Sequence, residues 1–529
     1  MKNKLYSIFS SAMITVWGAI VAMILALLLF VSRIADYKYK VSFGLGNILL
    51  TIIVILTVAA AVTLYLRKKE KLDGFFGSIS KRSVIIFLLA FFALQTLIYY
   101  NIYFKTGWDV RQILEAAEGI AANVETTAQR WYFLRYPNNL LMTYIFSVII
   151  KICNALGFSG EFQHIFAIIL IQCVLSCIGG YLLFSSVRLV LGNPVIPFVS
   201  LAVYLMHVAL NPNITIPYSD AMTLILPIAI LRIYLSVENG RLLPLKWSAM
   251  TVLAYLGYKI KPQVIIILIA LVIYEAVTFL FACNGFTRLC KSIGYCAGVA
   301  ALALTVAVTS FALPKLPVRL DEEKAFGISH FLMMGFNEES GGSYSGTDVS
   351  FSGDLETAEE RTRENLRVVK ERVKRFGFLG LTKFMTKKCL TNYSDGTYAW
   401  GLEGGFYHTV PEEKNSTLSP FLRSIFYTNG SNYTLFKTFQ QYLWILILIG
   451  NLGILFVIRD KKLRKDITVA VIALLGMFAF EMLFEARSRY LFNYAPVFIF
   501  TASIGMHAML KRISAWVIKL WLCKKGNEV

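Results

Sequence analysis

Long apolar runs recur along the whole chain, and nothing else constrains its fold as tightly. Twelve of them, at roughly 9–32, 47–66, 84–104, 163–187, 194–210, 219–237, 247–258, 263–283, 292–313, 437–458, 466–485 and 490–510, are read as membrane-crossing helices. Crossing ~30 Å of hydrocarbon takes about 20 residues of helix, and only structures that satisfy their own backbone hydrogen bonds can do it. The 529 residues are 57% hydrophobic and 16% charged, too apolar for a water-soluble globule. The expected fold is an all-α polytopic membrane protein with about twelve transmembrane helices. No small-residue cleavage site follows the first run, so it is expected to stay as a membrane helix. The eight cysteines form no framework; most fall in or beside apolar runs and read as buried thiols.

A net charge of +20 does not imply nucleic acid as a partner, because the basic residues sit in short loops between apolar runs. This is the positive-inside pattern. It decides how to read Leu140–Leu156, a segment that is apolar but short. If that segment does not cross, the N-terminus and the loops 67–82, 188–193, 238–247, 284–291, 459–465 and 511–529 share one side. Together they hold twenty-three Lys and Arg against five Asp and Glu. Counting 140–156 as a span would move fifteen of those bases outside. The segment is therefore expected to be a juxtamembrane or re-entrant helix, with both termini cytoplasmic.

On this topology the polar clusters face outward. The loop Lys105–Asn139 carries Asp109, Arg111, Glu115, Glu118, Arg130 and Arg135, far more than a connection needs. The loop 315–438 has room for a mainly helical extracytoplasmic domain, with an amphipathic helix over Asp354–Phe376 and a stop at Gly377; its flanks are rich in glycine and aromatic residues. The chain divides into a transmembrane region 1–314, containing the loop 105–139 and the juxtamembrane helix 140–156, then the loop domain 315–438, transmembrane helices 439–510 and a basic tail 511–529. No Walker A or G-x-G-x-x-G motif is present, and no cytoplasmic loop is long enough for a nucleotide-binding domain, which argues against ATP-driven transport and cytosolic nucleotide-sugar chemistry.

Two outer acids admit two readings each. Asp109, in Gly107-Trp108-Asp109, is either a general base for a hydroxyl or a helix cap. Asp220, closing Pro217-Tyr218-Ser219-Asp220, is a cap or a partner of Asp109 in holding an acceptor or a divalent ion. Glu115 and Glu118 read as a solvated helix face. Lys259 and Lys261, and Arg487 and Arg489 in Glu485-Ala486-Arg487-Ser488-Arg489-Tyr490, either meet lipid headgroups or clamp the phosphate of a lipid-linked substrate. Arginine suits that task by its bidentate fork and lysine as a point charge. A departing phosphate gathers negative charge, so fixed cations would stabilise the transition state. The five histidines show no zinc-binding spacing.

Assembled, Gly107-Trp108-Asp109, Arg135-Tyr136-Pro137-Asn138-Asn139, Pro217-Tyr218-Ser219-Asp220 and the Glu485–Tyr490 run resemble the GT-C superfamily of polytopic glycosyltransferases. Its members use polyprenyl-phosphate-linked sugars outside the cytoplasm and include protein O-mannosyltransferases and the aminoarabinose transferases that modify lipid A. The resemblance implies an enzyme whose catalytic base is Asp109. Tyr218, Asp220, Lys259, Lys261, Arg487, Arg489 and Tyr490 are the candidate substrate-binding residues. Expected partners are a polyprenyl-phosphate-linked sugar, a cell-envelope glycopolymer or glycolipid acceptor, and membrane lipids. Many members carry two adjacent acids in the first loop, whereas Asp109 stands between Trp108 and Val110; no cofactor is assigned, and a divalent cation stays open. Two other functions fit the same features: a flippase or transporter of lipid-linked sugars, and an envelope polysaccharide polymerase or ligase.

Overall fold

The computed structural model describes residues 2–236, 242–403, 409–411 and 417–526. Expectations touching 237–241, 404–408, 412–416 and 527–529 lie outside the described residues; they concern part of the loop 238–247, the end of one glycine-aromatic flank and the tip of the tail. Among the described residues the fold is helical, and the only β contact is an isolated bridge between Lys105 and Thr409.

The chain opens with α1 (Lys2–Ala26), α2 (Asn47–Arg67), the short α3 (Lys69–Ser78) and α4 (Lys81–Ile102). The Ser80 hydroxyl accepts the Ser83 N–H and starts α4, as serine does at an N-cap. Next come α5 (Trp108–Ala122), α6 (Thr127–Arg135), α7 (Leu140–Ala155) and the long α8 (Glu161–Val190). Helices α4 and α8 run antiparallel: Tyr103 meets Phe162 and Tyr100 meets Phe166 at one end, and Gln95 reaches Ser176 deeper in the bundle at 3.0 Å. Where α4 finishes and α8 begins, Lys105 pairs with Glu161 at 2.5 Å.

That pair brackets α5, α6 and α7 between two points at the same end of the bundle. Pro137–Ala155 is long and apolar enough to count as a span, but both its ends are tied to that level. Glu118 of α5 and Asn154 near the end of α7 both bond His164, at 3.0 and 2.8 Å. At the other end of α7, Asn139 donates to Tyr132 at 2.7 Å. The five residues between Ala155 and Glu161 cover at most ~18 Å, too few to recross a bilayer.

The middle of the chain forms α9 (Ile196–Tyr204), α10 (Ser219–Thr223), α11 (Ile225–Leu235), α12 (Leu243–Ile260), α13 (Ile265–Phe281) and α14 (Gly285–Ala312). The loop region supplies α15 (Ile328–Gly335), α16 (Gly346–Gly353), α17 (Ala358–Tyr393), α18 (Trp400–Glu403) and α19 (Leu418–Phe426), and α20 (Tyr433–Leu452), α21 (Lys461–Leu483) and α22 (Ala495–Gly526) complete the bundle. Nine helices among the described residues meet the length and apolarity needed for a span, eight of them at expected runs and the ninth Pro137–Ala155. The runs at 194–210, 219–237, 247–258 and 490–510 are helical but not among the nine. The expected loop helix begins at Ala358, where the Thr357 hydroxyl accepts the Glu360 N–H. At Gly377 the backbone turns to φ 57°, ψ −174°, a region open essentially only to glycine, and a second helical arm runs on to Tyr393.

One polar tie inside the bundle is fully saturated. The Asn451 side chain accepts from Trp17 and Thr501 and donates to the Ile447 and Phe498 carbonyls, joining α1, α20 and α22. A Cβ on Gly505 would lie 2.1 Å from the Gly450 carbonyl, so α20 and α22 touch backbone to backbone, as small residues allow in lipid. At the end opposite Lys105, Tyr6 meets Tyr274, Ser11 meets Arg464 and Lys511 lies 3.8 Å from Asp460. The start of α1 and the later part of α22 thus share that end.

Candidate functional site

Segments far apart in sequence meet at the Lys105 end. Trp108 adopts a left-handed backbone conformation, φ 43°, which costs a non-glycine residue of order 1–3 kcal/mol and is retained where the surroundings impose it. Its ring stands edge-on to Tyr218, 4.8 Å between centroids. Tyr39, Tyr398 and Ala399 also have positive φ and lie in segments bordering the same region.

Asp109 is not a cap. Gly107 occupies the N-cap of α5, and the half-buried Asp109 carboxylate instead accepts from the Tyr218 hydroxyl at 3.2 Å. Tyr132 supplies a second hydroxyl; burial pushes the Asp109 carboxyl above its ordinary range, against the pull of Tyr132, Arg489 and Tyr218. Asp220 is not a cap either, since Tyr218 is the N-cap of α10. It is buried, paired with Lys261 and 3.5 Å from Arg489 Nε. The Arg489 guanidinium lies over Trp108 at 4.5 Å and Tyr218 at 5.2 Å, and Lys261 lies over Tyr490 at 4.8 Å. Arg489 and Arg487 both reach Glu403, at 3.4 and 2.9 Å.

The structure therefore brings Asp109, Tyr218, Asp220, Lys261, Arg487, Arg489 and Tyr490 into one connected cluster. Lys259 stays apart, half-buried and without an ion pair among the described residues. Lipid headgroups do not account for Lys261 or Arg489, whose side chains are 5% and 8% exposed. Lys261, Arg487 and Arg489 are paired with the buried carboxylates Asp220 and Glu403. Pairing is incomplete, however. Trp108 Nε1, Arg487 Nε, Arg489 Nε and Arg489 Nη1 are buried and have no hydrogen-bond acceptor among the described residues. Such orphans cost of order 1–3 kcal/mol each; Trp108 and Arg489 carry three of them beside Asp109, and Arg487 carries the fourth beside Glu403.

Glu115 and Glu118 do not form a solvated face: Glu115 accepts the Ala128 N–H and Glu118 holds His164. Asp109 and Asp220 are linked through Tyr218 and Arg489, and among the described residues no three His, Cys, Asp or Glu are grouped to hold a metal. Sequence reasoning passed over Glu403, Tyr39 and Tyr132. Glu403 was detectable as one of only two acids, with Asp395, in an aromatic and glycine-rich flank. Tyr39, under Arg487 at 5.3 Å, sits in the loop after α1, where Asp36-Tyr37-Lys38-Tyr39-Lys40 stands out between two apolar runs.

The loop region forms one wall. Ala486 donates to the Gly342 carbonyl at 2.7 Å and accepts from the Ser343 hydroxyl at 2.9 Å. Lys388 donates to the carbonyls of Gly335 and Phe484 at 2.6 and 2.5 Å, and burial pushes its ammonium down to about 7.

A family model described as a conserved hypothetical integral membrane protein matches residues 5–510. The chain belongs to that family. It is a multi-pass membrane protein. No curated protein matches it. Among solved structures it is similar to the crystal structure of ArnT from Cupriavidus metallidurans bound to undecaprenyl phosphate, at 12% identity and a TM-score of 0.32 over 82% of this chain and 79% of that one. The apo state of ArnT gives 12% identity and a TM-score of 0.33 over 81% and 77%. Likeness at that TM-score carries no weight for what this chain does.

Proposed function

We propose that the chain transfers a sugar from a polyprenyl-phosphate-linked donor to a hydroxyl of a cell-envelope acceptor, at the extracytoplasmic face and with inversion at the anomeric carbon. The observation that carries this is the pairing of a half-buried carboxylate with the unsatisfied N–H donors beside it. Asp109 takes the proton of the acceptor hydroxyl; the hydroxyl oxygen bonds to the anomeric carbon, and the carbon–oxygen bond to phosphate breaks with its electron pair on the phosphate. Trp108, Arg487 and Arg489 donate to the phosphate oxygens as that charge develops. Arg487 and Arg489 keep Glu403 between them, which fixes the two guanidinium groups before the substrate arrives. A phosphate leaves with little protonation, so no second carboxylic acid is required.

The topology that goes with this reading places 105–139, the juxtamembrane helix 140–156 and 315–438 outside, and both termini in the cytoplasm. Single cysteines at Val124 and Phe378, both exposed, should be labelled by an impermeant thiol reagent in intact cells; protection of either sinks the map. A flippase or transporter calls for charged groups spread through the bilayer depth, whereas the buried charges here gather near the two ends. The deciding assay is purified protein in nanodiscs with a polyprenyl-phosphate sugar and an envelope acceptor. Transfer with inverted anomeric configuration is expected. Lipid-linked sugar moved across the bilayer without transfer would replace this reading by the transporter.

A further inference from the structure

A cavity of about 440 Å³ opens in the loop region between α15, α16 and α17. Its size falls within the ~300–1,000 Å³ of small-ligand sites, and its lining is unlike that of the charged cluster. Asp348 and Arg372 form its floor through two parallel bonds of 2.7 and 2.9 Å, so that pair is already satisfied. The groups left to meet a ligand are Glu338, Glu339 and Arg375, with the rings of Phe351 and Phe376 partly exposed beside them. Glu338, Glu339 and Arg375 are exposed at the rim and bind nothing among the described residues.

Carboxylates and a guanidinium on one side of an aromatic wall suit a ligand that offers hydroxyls as donors and acceptors together with apolar C–H faces. Sugar rings have that character. The cavity also shares a wall with the site. Asn337 organises the turn 337–345, accepting from the Ser340 N–H, donating to the Ser345 hydroxyl and receiving the Gly342 N–H at its carbonyl. Gly342 and Ser343 of the same turn bond Ala486, one residue before Arg487. Gly341 and Gly342 have φ of +63° and +79°, which glycine adopts without strain.

We propose that this cavity binds a stretch of a saccharide chain, so that the acceptor is an oligosaccharide or polymer gripped beyond its reacting end rather than a single sugar. This rests on the transferase reading and names its acceptor class. A chain lying in the cavity would pass over the turn 337–345 to present its terminal hydroxyl to Asp109. The cavity would then contribute to acceptor KM and leave the donor untouched.

The test uses the full-length protein in nanodiscs and labelled oligosaccharides released from the envelope of cells that make it, fractionated from one to about six sugar units. Capture should strengthen with length over the first few units and then level off. Glu338→Gln combined with Glu339→Gln and Arg375→Ala alters only rim side chains, so folding should be unchanged. This variant should lose about tenfold in capture and raise acceptor KM about tenfold, at unchanged kcat and donor KM. Capture independent of length, no capture at all, or a variant that captures like wild type overturns the proposal; so does preferential binding of a Lys-rich peptide, which would assign Glu338 and Glu339 to a cationic partner. Length-dependent capture in a protein that transfers no sugar would keep the cavity and discard the transferase reading. Transfer that ignores acceptor length would do the reverse.

Discussion

Two clusters of buried charge lie near opposite ends of the bundle, and they are built differently. At the end away from the site, Glu275 of α13 accepts from Tyr234 at 2.6 Å, from Lys291 at 2.5 Å and from Tyr295 at 2.7 Å. Both its oxygens are satisfied. At the site end, Arg487 and Arg489 sit within ion-pair distance of Glu403 and Asp220, yet several of their N–H groups and Glu403 Oε1 lack a hydrogen bond. The first arrangement has what a buried ion pair needs to hold helices together. The second holds its charges in place and leaves them short of partners, an arrangement suited to a site where an incoming ligand completes the bonding. Asp109 sharpens the contrast, being a carboxylate only half covered and held by hydroxyls rather than by a cation.

The contrast can be broken most sharply at Asp109. Because Asp109 caps nothing, Asp109→Asn should leave expression and thermal stability near wild type while transfer falls by roughly 10²–10⁴-fold. Wild-type transfer by the well-folded variant would return the carboxylate to a structural role. The remaining wild-type activity has a pH signature: burial raises the Asp109 carboxyl, a base must be ionised to work, and so kcat/KM should fall with acidification at a pH above the ordinary carboxylate range.

Glu275→Ala should do the opposite, leaving Lys291 buried and unpaired. A loss of about 3–5 kcal/mol in stability is expected, seen as poor expression or a lowered Tm, with transfer per folded molecule unchanged. A stable Glu275→Ala protein that has lost activity would mean the two clusters communicate.

Arg487→Ala removes one charged hydrogen-bonding group from the site, worth about 1.5–3 kcal/mol or about ten- to hundredfold in use of the lipid donor. Arg487→Lys should restore only part, since the fork is lost. Equal donor dependence in the wild type and both variants would place Arg487 among the structural residues.

How much of this was legible in the sequence follows from where each residue sits. Asp109, Tyr218, Asp220, Lys261, Arg487, Arg489 and Tyr490 all lie at the ends of apolar runs, so counting crossings collects them on one face. Gly377 was legible because the apolar spacing stops there, and its backbone shows why. Pairing was not legible: nothing local says that Glu403 meets Arg487 and Arg489, or that the loop after α1 places Tyr39 beneath Arg487. Those contacts join segments separated by scores to hundreds of residues, and only the packed bundle sets them. Glu115 and Glu118 failed for the same reason, their partners being Ala128 and His164 on other helices.

A further expected effect concerns Lys388, which ties the loop region to the end of α21. Its ammonium titrates near 7 when folded and near 10.4 when unfolded. Between those values the unfolded chain binds more protons, so stability should rise with pH from about 7 upward. Lys388→Met should flatten that slope in a Tm series from pH 6 to 9; an unchanged slope would mean another group carries it.

The ion pair between Lys105 and Glu161 works like a drawstring. It closes the neck of the hairpin that carries Asp109; there Tyr218 and Tyr132 hold the carboxylate, so its placement is fixed near the neck and not at the far tip near Val124, which is 61% exposed. Lengthening a flexible tip adds only about 0.6 kcal/mol per doubling of its length. The tip is therefore free to diverge among relatives, or to accept a tag, while the distance from base to substrate stays where the neck has set it.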